Sequence, residues 1–174
     1  MEEVILVDSE DNPIGTMEKM QVHVEGKLHR AFSVFVLNNN KEILLQRRAL
    51  TKYHSAGLWT NTCCSHPRPL EKTEDAVHRR LKEEMGFDCK VLKAFEFIYK
   101  AELENGLIEH ELDHVFIGFY NNAPVLNKDE VADWKYVSVN DLLNDMKDNS
   151  TDYTAWFKFC IKEVITHINN IKIN

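Results

Sequence analysis

The feature that most restricts the fold of this chain is the alternation of short apolar segments with helical ones. Seven segments have the length and composition of strands, at residues 4–7, 31–37, 43–46, 58–63, 91–99, 109–120 and 131–137. The turn at residues 8–13 predicts an opening hairpin. Three predicted helices interleave with the strands, at residues 73–86, from about residue 140, and at about residues 153–171. Because no linker or internal repeat separates these elements, we expect a single α+β domain over residues 1–174.

The predicted helix at residues 73–86 carries the clearest pattern. Thr73 is a suitable N-cap, and Gly86 is a suitable residue for the end of the helix. Val77, Leu81 and Met85 recur every four residues, so they should form the buried stripe. The charged residues of the second half should lie mainly on another face, and they are Arg80, Glu83 and Glu84.

Just before this helix, residues 59–67 bring several reactive groups close together. The stretch reads WTNTCCSHP and places the thiol of Cys64 two residues before the imidazole of His66. A thiol can carry a proton or act as a nucleophile, and an imidazole can bind a metal. Few folds need so many reactive groups for stability alone, so this stretch predicts a functional site.

The composition limits the classes of partner. A net charge of −7 disfavours a general nucleic-acid binder, whereas a small anionic ligand needs only a local cluster of cations. No segment reaches the roughly 20 apolar residues that cross a membrane. The acidic residues 2–3 are unlike the start of a signal peptide. The cysteines form no CxxC pair, so we expect reduced thiols in a cytoplasmic protein.

A pair of carboxylates lies on the predicted strand at residues 109–120. Glu109 and Glu111 are two residues apart, so both should point to one face of the sheet, followed by Asp113. His110 and His114 should point to the other face. Standing alone, such a pair could equally be a solvated strand edge.

Two early histidines could complete a metal site with these carboxylates. His23 and His29 lie six residues apart with Gly26 between them, although two such histidines could also be ordinary surface residues. Three imidazoles and two carboxylates would suit Zn²⁺ or Mn²⁺, with Mg²⁺ as a substitute. The proposed ligands are His23, His29, His66, Glu109 and Glu111.

Cationic and aromatic residues form a second candidate group. Four cations could converge on a phosphate, or could be ordinary surface charge, and they are Lys19, Arg48, Lys52 and Arg80. Tyr99 and Trp156 could line a small pocket. For Trp156, at helical spacing with Cys160 and Val164, packing in the core is the plainer interpretation.

These motifs together resemble one known family. The stretch WTNTCCSHP, the early pair of histidines, the segment EHE and the helix ending LKEEMGF are similar to type I isopentenyl-diphosphate Δ-isomerases. The resemblance runs from about Val4 to Trp156 and implies a Nudix-like mixed sheet flanked by helices. The chain departs from the Nudix hydrolase motif at Ser65, where that motif has glycine, and at Arg80, where it has glutamate. The lost carboxylate disfavours hydrolysis of a pyrophosphate.

The resemblance implies a role for each candidate residue. Cys64 and Glu111 would be the catalytic pair, with Tyr99 assisting and Trp156 lying against the alkene. The five histidines and glutamates named above would bind one divalent metal (Mn²⁺, Zn²⁺ or Mg²⁺). Glu84 would help to hold a second ion, a Mg²⁺ on the diphosphate of a small isoprenoid substrate. The diphosphate itself would be bound by Lys19, Arg48, Lys52 and Arg80.

Moving a double bond needs one group that gives a proton and another that takes one. We favour protonation of the alkene from the side of Glu111 and Tyr99, and removal of a proton from the substrate by Cys64. Two alternatives remain at the level of sequence. A Nudix hydrolase acting on a nucleoside diphosphate derivative would not need Cys64, and a metal-binding module without activity would need neither Trp156 nor the cations.

Overall fold

The computed structural model describes residues 2–171 and contains nine strands and four helices in that range. In chain order they are β1 (Glu3–Val7), β2 (Pro13–Glu18), α1 (Lys19–Glu25), β3 (His29–Leu37), β4 (Ile43–Arg48), β5 (Trp59–Thr60), β6 (Cys63–Ser65), α2 (Thr73–Met85), β7 (Val91–Glu102), β8 (Ile108–Phe119), β9 (Val131–Val137), α3 (Val139–Asp148) and α4 (Ala155–Asn170). The predicted α+β class and the opening hairpin of β1 and β2 are confirmed.

All nine strands belong to one mixed sheet centred on β3. Along one edge, β3 runs parallel to β8 for its whole length, and β7 closes that side by pairing with β8. Along the other edge, β3 pairs in succession with β1, β6 and β4, each antiparallel to it. Residues from β6 and β8 therefore approach the same central strand from its two opposite edges.

The alternation of side chains along the central strands divides the core into two layers. Phe35 and Leu37 face α4, where they pack in one cluster with Phe157 and Ile161. The intervening residues, including Val34, face α2 and its buried stripe in a second cluster. The predicted stripe of α2 is confirmed, because all three of its members are fully buried, and they are Val77, Leu81 and Met85.

Three predictions about local structure are wrong. The single strand predicted at residues 58–63 is two short strands, because Thr62 between them uses its hydroxyl to accept from the amide of Val36 at 2.8 Å and donate to the carbonyl of Leu44 at 2.6 Å. Thr73 is the first residue of α2, not its cap, and Lys72 holds the cap position. The predicted start of α4 at about residue 153 is two residues early.

Helix α1 was not predicted at all, although it carries His23. It has seven residues and ends at Gly26, whose φ of 62° lies in the left-handed region that glycine adopts readily. Gly86 ends α2 in the same conformation, as predicted, with a φ of 70°. Within residues 2–171, none of the helices combines the length and the apolar character needed to cross a membrane.

Candidate active site and metal centre

A narrow cavity of about 50 Å³ opens where β6, β7 and β8 meet the loop between β4 and β5. Most of the predicted site residues contribute to its wall. The lining residues are Lys19, Phe32, Arg48, Lys52, Tyr53, His54, Cys64, Ser65, His66, Arg80, Tyr99, Glu109, Glu111 and Trp156.

Two histidines and a glutamate converge beside this cavity, and two of the three, His66 and Glu111, line it. His29 begins β3 and lies opposite Glu111 in the parallel pairing of β3 with β8. Nε2 of His66 lies 2.9 Å from Oε1 of Glu111 and 3.2 Å from Nε2 of His29, while His29 Nε2 is 3.5 Å from the same carboxylate oxygen. The pairing of the strands thus brings together ligands that are far apart in the sequence.

His23 completes this group from helix α1. Its Nδ1 donates to the carbonyl of Lys19 at 2.6 Å, which leaves the lone pair on Nε2. That Nε2 atom is buried and has no hydrogen-bond partner within residues 2–171. One donor atom each from His23, His29, His66 and Glu111 lies within 4.8 Å of the other three, a spacing that fits ligands around one ion. The donor set, three imidazoles and a carboxylate, fits a divalent transition metal.

Glu109 and Glu111 point to the same face of β8, as predicted, and share a hydrogen-bond donor. The hydroxyl of Tyr99 donates to Glu111 Oε2 at 2.7 Å and lies 3.4 Å from Glu109 Oε2. Burial and the neighbouring charge of Glu111 raise the pKa of Glu109 well above its usual range. Burial acts in the same direction on Glu111, but hydrogen bonds from His29 and His66 outweigh it and hold the pKa of Glu111 well below its usual range.

Glu109 does not join the four-ligand group in this arrangement. It forms a second group with His23 and His54, with one donor atom of each within 4.8 Å of the others. His54 was missed by the sequence analysis, although it lies between Lys52 and the WTNTCCSHP stretch. The signal that could have found it is its position two residues after a proposed diphosphate ligand. Burial lowers the pKa of His54 to about 2, which keeps its imidazole neutral.

The two adjacent cysteines point in opposite directions from β6. Cys64 lines the cavity, whereas Cys63 is fully buried against α2, as predicted. Burial raises the pKa of the Cys64 thiol to about 12, so its sulfur holds a proton. All four cysteines of the chain are free thiols.

All four predicted phosphate-binding cations line the cavity, and each is held in a different way. Arg48 donates to the carbonyls of His54 and Ser55 at 3.1 and 3.2 Å, and its guanidinium lies 5.2 Å from the ring centre of Trp156. Lys52 forms an ion pair with Glu130. Lys19 pairs with Glu2 at 3.2 Å, and Arg80 pairs with Glu130 at 3.3 Å and with Glu83 at 2.7 Å.

Glu84 is absent from the cavity wall, as are the predicted metal ligands His23 and His29. It is only 4% exposed, and its carboxylate accepts from Gln46 at 2.8 Å and from Arg80 at 2.6 Å. A role in holding a second Mg²⁺ therefore stays a prediction. Trp156, by contrast, has both roles considered for it, since it packs in the α4 core cluster and also lines the cavity.

The chain is similar to known proteins over most of its length. Residues 27–157 match the model of the NUDIX domain. A protein from Aromatoleum aromaticum named isopentenyl-diphosphate Delta-isomerase 2 is 52% identical over 95% of this chain and 87% of its own length. A protein of the same name from Photorhabdus laumondii subsp. laumondii is 55% identical over 91% of this chain and 90% of its own length.

Solved structures agree on the fold. A Deinococcus radiodurans protein superposes with a TM-score of 0.72 at 16% identity, over 85% of this chain and 90% of that one. A NUDIX hydrolase from Nitrosomonas europaea gives a TM-score of 0.59 at 16% identity, over 85% and 98% of the two chains. The predicted Nudix-like fold is thus confirmed. With half of its residues shared with the named relatives, the chain belongs to the Nudix family and, within it, to the isopentenyl-diphosphate Delta-isomerases.

Proposed function

We propose that this protein interconverts isopentenyl diphosphate and dimethylallyl diphosphate by moving a proton onto the alkene and removing another. The observation that carries the proposal is the placement of two proton-bearing groups in one cavity. Cys64 lies opposite Ser33 on one edge of β3, and Glu111 lies opposite His29 on the other edge. Both groups line the same cavity, so an alkene bound there would meet a proton carrier on each side.

The reaction balances without any redox step. The electron pair of the carbon–carbon double bond takes a proton at the terminal carbon, and a tertiary cation remains. Loss of a proton from the methylene group on the other side of that centre forms the new double bond. Two side chains that exchange their protonation states are therefore sufficient.

Glu111 and Tyr99 act together in this scheme. The Tyr99 hydroxyl donates to Glu111 at 2.7 Å, and burial holds the pKa of Tyr99 well above its usual range, so the phenol keeps its proton. A divalent metal bound by the neighbouring histidines, of a kind not yet identified, would supply positive charge that fixes this carboxylate. Tyr99 would orient the same carboxylate from its other oxygen.

The order of the two proton transfers stays a prediction. The order favoured from the sequence uses Cys64 as the base, yet burial leaves the proton on its sulfur while Glu111 is held as a carboxylate. In that state the thiol would give a proton to the alkene and the carboxylate would take one from it. Because the reaction is reversible, each group must serve in both roles over a full cycle.

The cations at the rim would bind the diphosphate. Arg48 offers a guanidinium on the cavity wall, and the face of Trp156 next to it could stabilise a developing positive charge on the substrate. Lys52 and Arg80 both reach Glu130 and would exchange part of that contact for phosphate oxygens. We further propose that a Mg²⁺ accompanies the diphosphate, with Glu84 exchanging its contact with Arg80 for the ion.

The experiment that tests the function is an assay of products. The protein is incubated with isopentenyl diphosphate and Mg²⁺, with or without Mn²⁺ or Zn²⁺, and the products are separated by chromatography. We expect the dimethylallyl isomer and no released phosphate. Released phosphate without the isomer would instead support a Nudix hydrolase, for which the arginine at position 80 removes a usual carboxylate.

A further inference from the structure

We propose that His54 is a fourth imidazole ligand of the metal centre, binding through Nε2 on the side of Glu109. This inference rests on the proposed metal centre and extends it. Neither the predicted ligand set nor the resemblance to the isomerases includes His54. Its placement in the structure is what points to this role.

The loop that carries His54 is fixed on both sides of the ring. The guanidinium of Arg48 donates to the carbonyl of His54 at 3.1 Å and to that of Ser55 at 3.2 Å. The amide of Ser55 donates to the carboxylate of Glu104 from the turn between β7 and β8. The His54 side chain is only 4% exposed, and its ring packs edge-on against Tyr53 and Trp156. Turning this ring to solvent would break its contacts with Tyr53 and Trp156.

The donor atom of His54 lies close to Glu109 and to His23, which also belongs to the four-ligand group. The Nε2 of His54 lies 3.2 Å from Oε1 of Glu109, and the Nε2 of His23 lies 3.7 Å from the same oxygen. These three atoms are as closely spaced as ligands around one ion. His23 also belongs to the group with His29, His66 and Glu111.

His23 belongs to both groups, and this limits how many ions the two groups can bind. An imidazole Nε2 has one lone pair and binds one metal, and Nδ1 of His23 is already engaged with the carbonyl of Lys19. The two groups therefore cannot each hold an ion through His23, and we infer one ion that draws Glu109 and His54 toward the four-ligand group. Four imidazoles and two carboxylates would complete a coordination number of six, and the added nitrogen favours a transition metal over Mg²⁺.

This ligand would also serve the chemistry. A position that His54 occupies is closed to water, and a water molecule beside the cavity could trap a tertiary cation. His54 thus binds the metal and excludes solvent from the same side.

The test compares the binding of Co²⁺ to the metal-free protein and to variants. We expect His54→Ala to weaken Co²⁺ binding by about 10–100-fold, the usual cost of losing a ligand or its support. X-ray absorption of the Co²⁺ complex should fit four imidazoles in the wild type and three in the variant, with one ion per chain in both. Circular dichroism identifies a variant that fails to fold.

His54→Gln separates binding to the metal from hydrogen bonding to Glu109. A glutamine amide can donate to that carboxylate but is a poor metal ligand, so His54→Gln should bind Co²⁺ as weakly as His54→Ala. Recovery of wild-type affinity in His54→Gln, or three imidazoles in the wild type, would overturn the proposal. The matched control is His78→Gln, which changes a half-exposed histidine paired with Asp88 and should bind as the wild type does.

A reference variant distinguishes an error in the role of His54 from an error in the metal centre as a whole. His66→Ala removes a member of the four-ligand group. Should His66→Ala and His54→Ala both bind Co²⁺ like the wild type, the metal centre is wrong. Should only His54→Ala do so, the centre stands and the role of His54 is wrong.

Discussion

The two faces of strand β8 both carry ionisable residues, carboxylates on one and histidines on the other, in different electrostatic surroundings. The inner face, formed by Glu109, Glu111 and Asp113, turns toward the cavity and the α4 core, and these carboxylates are 3%, 7% and 1% exposed. Within residues 2–171 none of them forms an ion pair with a lysine or arginine. The outer face, formed by His110 and His114, turns the other way, and it is surrounded by paired charges.

The two carboxylates beside the outer face are each paired with a cation. His114 lies 3.0 Å from Asp11 and 3.5 Å from Glu96, and each of these acids has its own cation. Arg30 donates to Asp11 at 2.7 Å, and Lys93 pairs with Glu96 at 2.5 Å. The cluster of His114, Asp11 and Glu96 also has the spacing of metal ligands, and Nε2 of His114 has no hydrogen-bond partner within residues 2–171, but both carboxylates are already paired with cations.

The inner face is electrically incomplete. Burial raises the pKa of Glu109 and Asp113, and Glu111 adds to both by repulsion. Burial also lowers the pKa of His66 to about 3, so this histidine brings no charge to balance the carboxylates. Buried carboxylates beside neutral imidazoles are costly unless a cation joins them. The comparison teaches that donor spacing does not distinguish the two clusters, whereas the pairing of the outer carboxylates with cations does, and this favours the inner face as the proposed metal site.

The largest expected effect is on the inner face. Glu111→Gln keeps the shape of the side chain but removes the carboxylate that we propose carries a proton and binds the metal. We expect isomerisation to fall by at least about 10²–10⁴-fold, the range of a positioned acid or base. Steady-state turnover of isopentenyl diphosphate measures this. The outer-face control Glu96→Gln should stay within a factor of two, and an equal loss in both variants would erase the difference between the faces.

Removing the metal should lower the stability of proteins whose inner-face ligands are intact, whether or not the outer face is changed. A ligand at 100 times its dissociation constant that binds only the folded state adds about 2.7 kcal/mol to the free energy of unfolding. For a chain of this size that corresponds to a rise in Tm of roughly 5–10 °C. Calorimetry with Zn²⁺ and then with a chelator should show the shift in the wild type and in His114→Gln. In His66→Ala the shift should be much smaller, and a full shift there would remove His66 from the ligands.

The smallest effect concerns pH and the outer face. Burial lowers the pKa of His114, so the folded state takes up a proton less readily than the unfolded state. The stability that depends on neutral His114 is present above the unfolded value of about 6.5 and is lost as pH falls below it. Urea unfolding of His114→Gln should therefore change less between pH 7 and pH 5.5 than that of the wild type. A steeper dependence in the variant would contradict this.

Patterns that repeat along the chain were read correctly from the sequence. The period of two on β8 placed Glu109 and Glu111 together, and the same alternation separated Cys63 from Cys64. Such periods follow from backbone geometry and need no knowledge of the partner elements. The stripe on α2 was predicted for the same reason.

Features that depend on tertiary contacts were missed. Helix α1 is too short for a period to show, and its position comes from its contacts with β8 and the hairpin. His54 lies on a loop with no pattern, and its burial depends on Arg48 and Trp156. The burial of Glu84 depends on Gln46 from another strand. The contacts with β8, Trp156 and Gln46 are not local in sequence.

We propose above all that Cys64 and Glu111 exchange protons with one alkene from the two edges of β3. The most direct test is the turnover of Cys64→Ala, with the metal content measured in the same sample. The account predicts a loss of at least about 10²–10⁴-fold with the metal and the fold intact. Cys63→Ala, whose side chain packs against α2, should retain most of its activity. Near-normal turnover in Cys64→Ala would contradict the account.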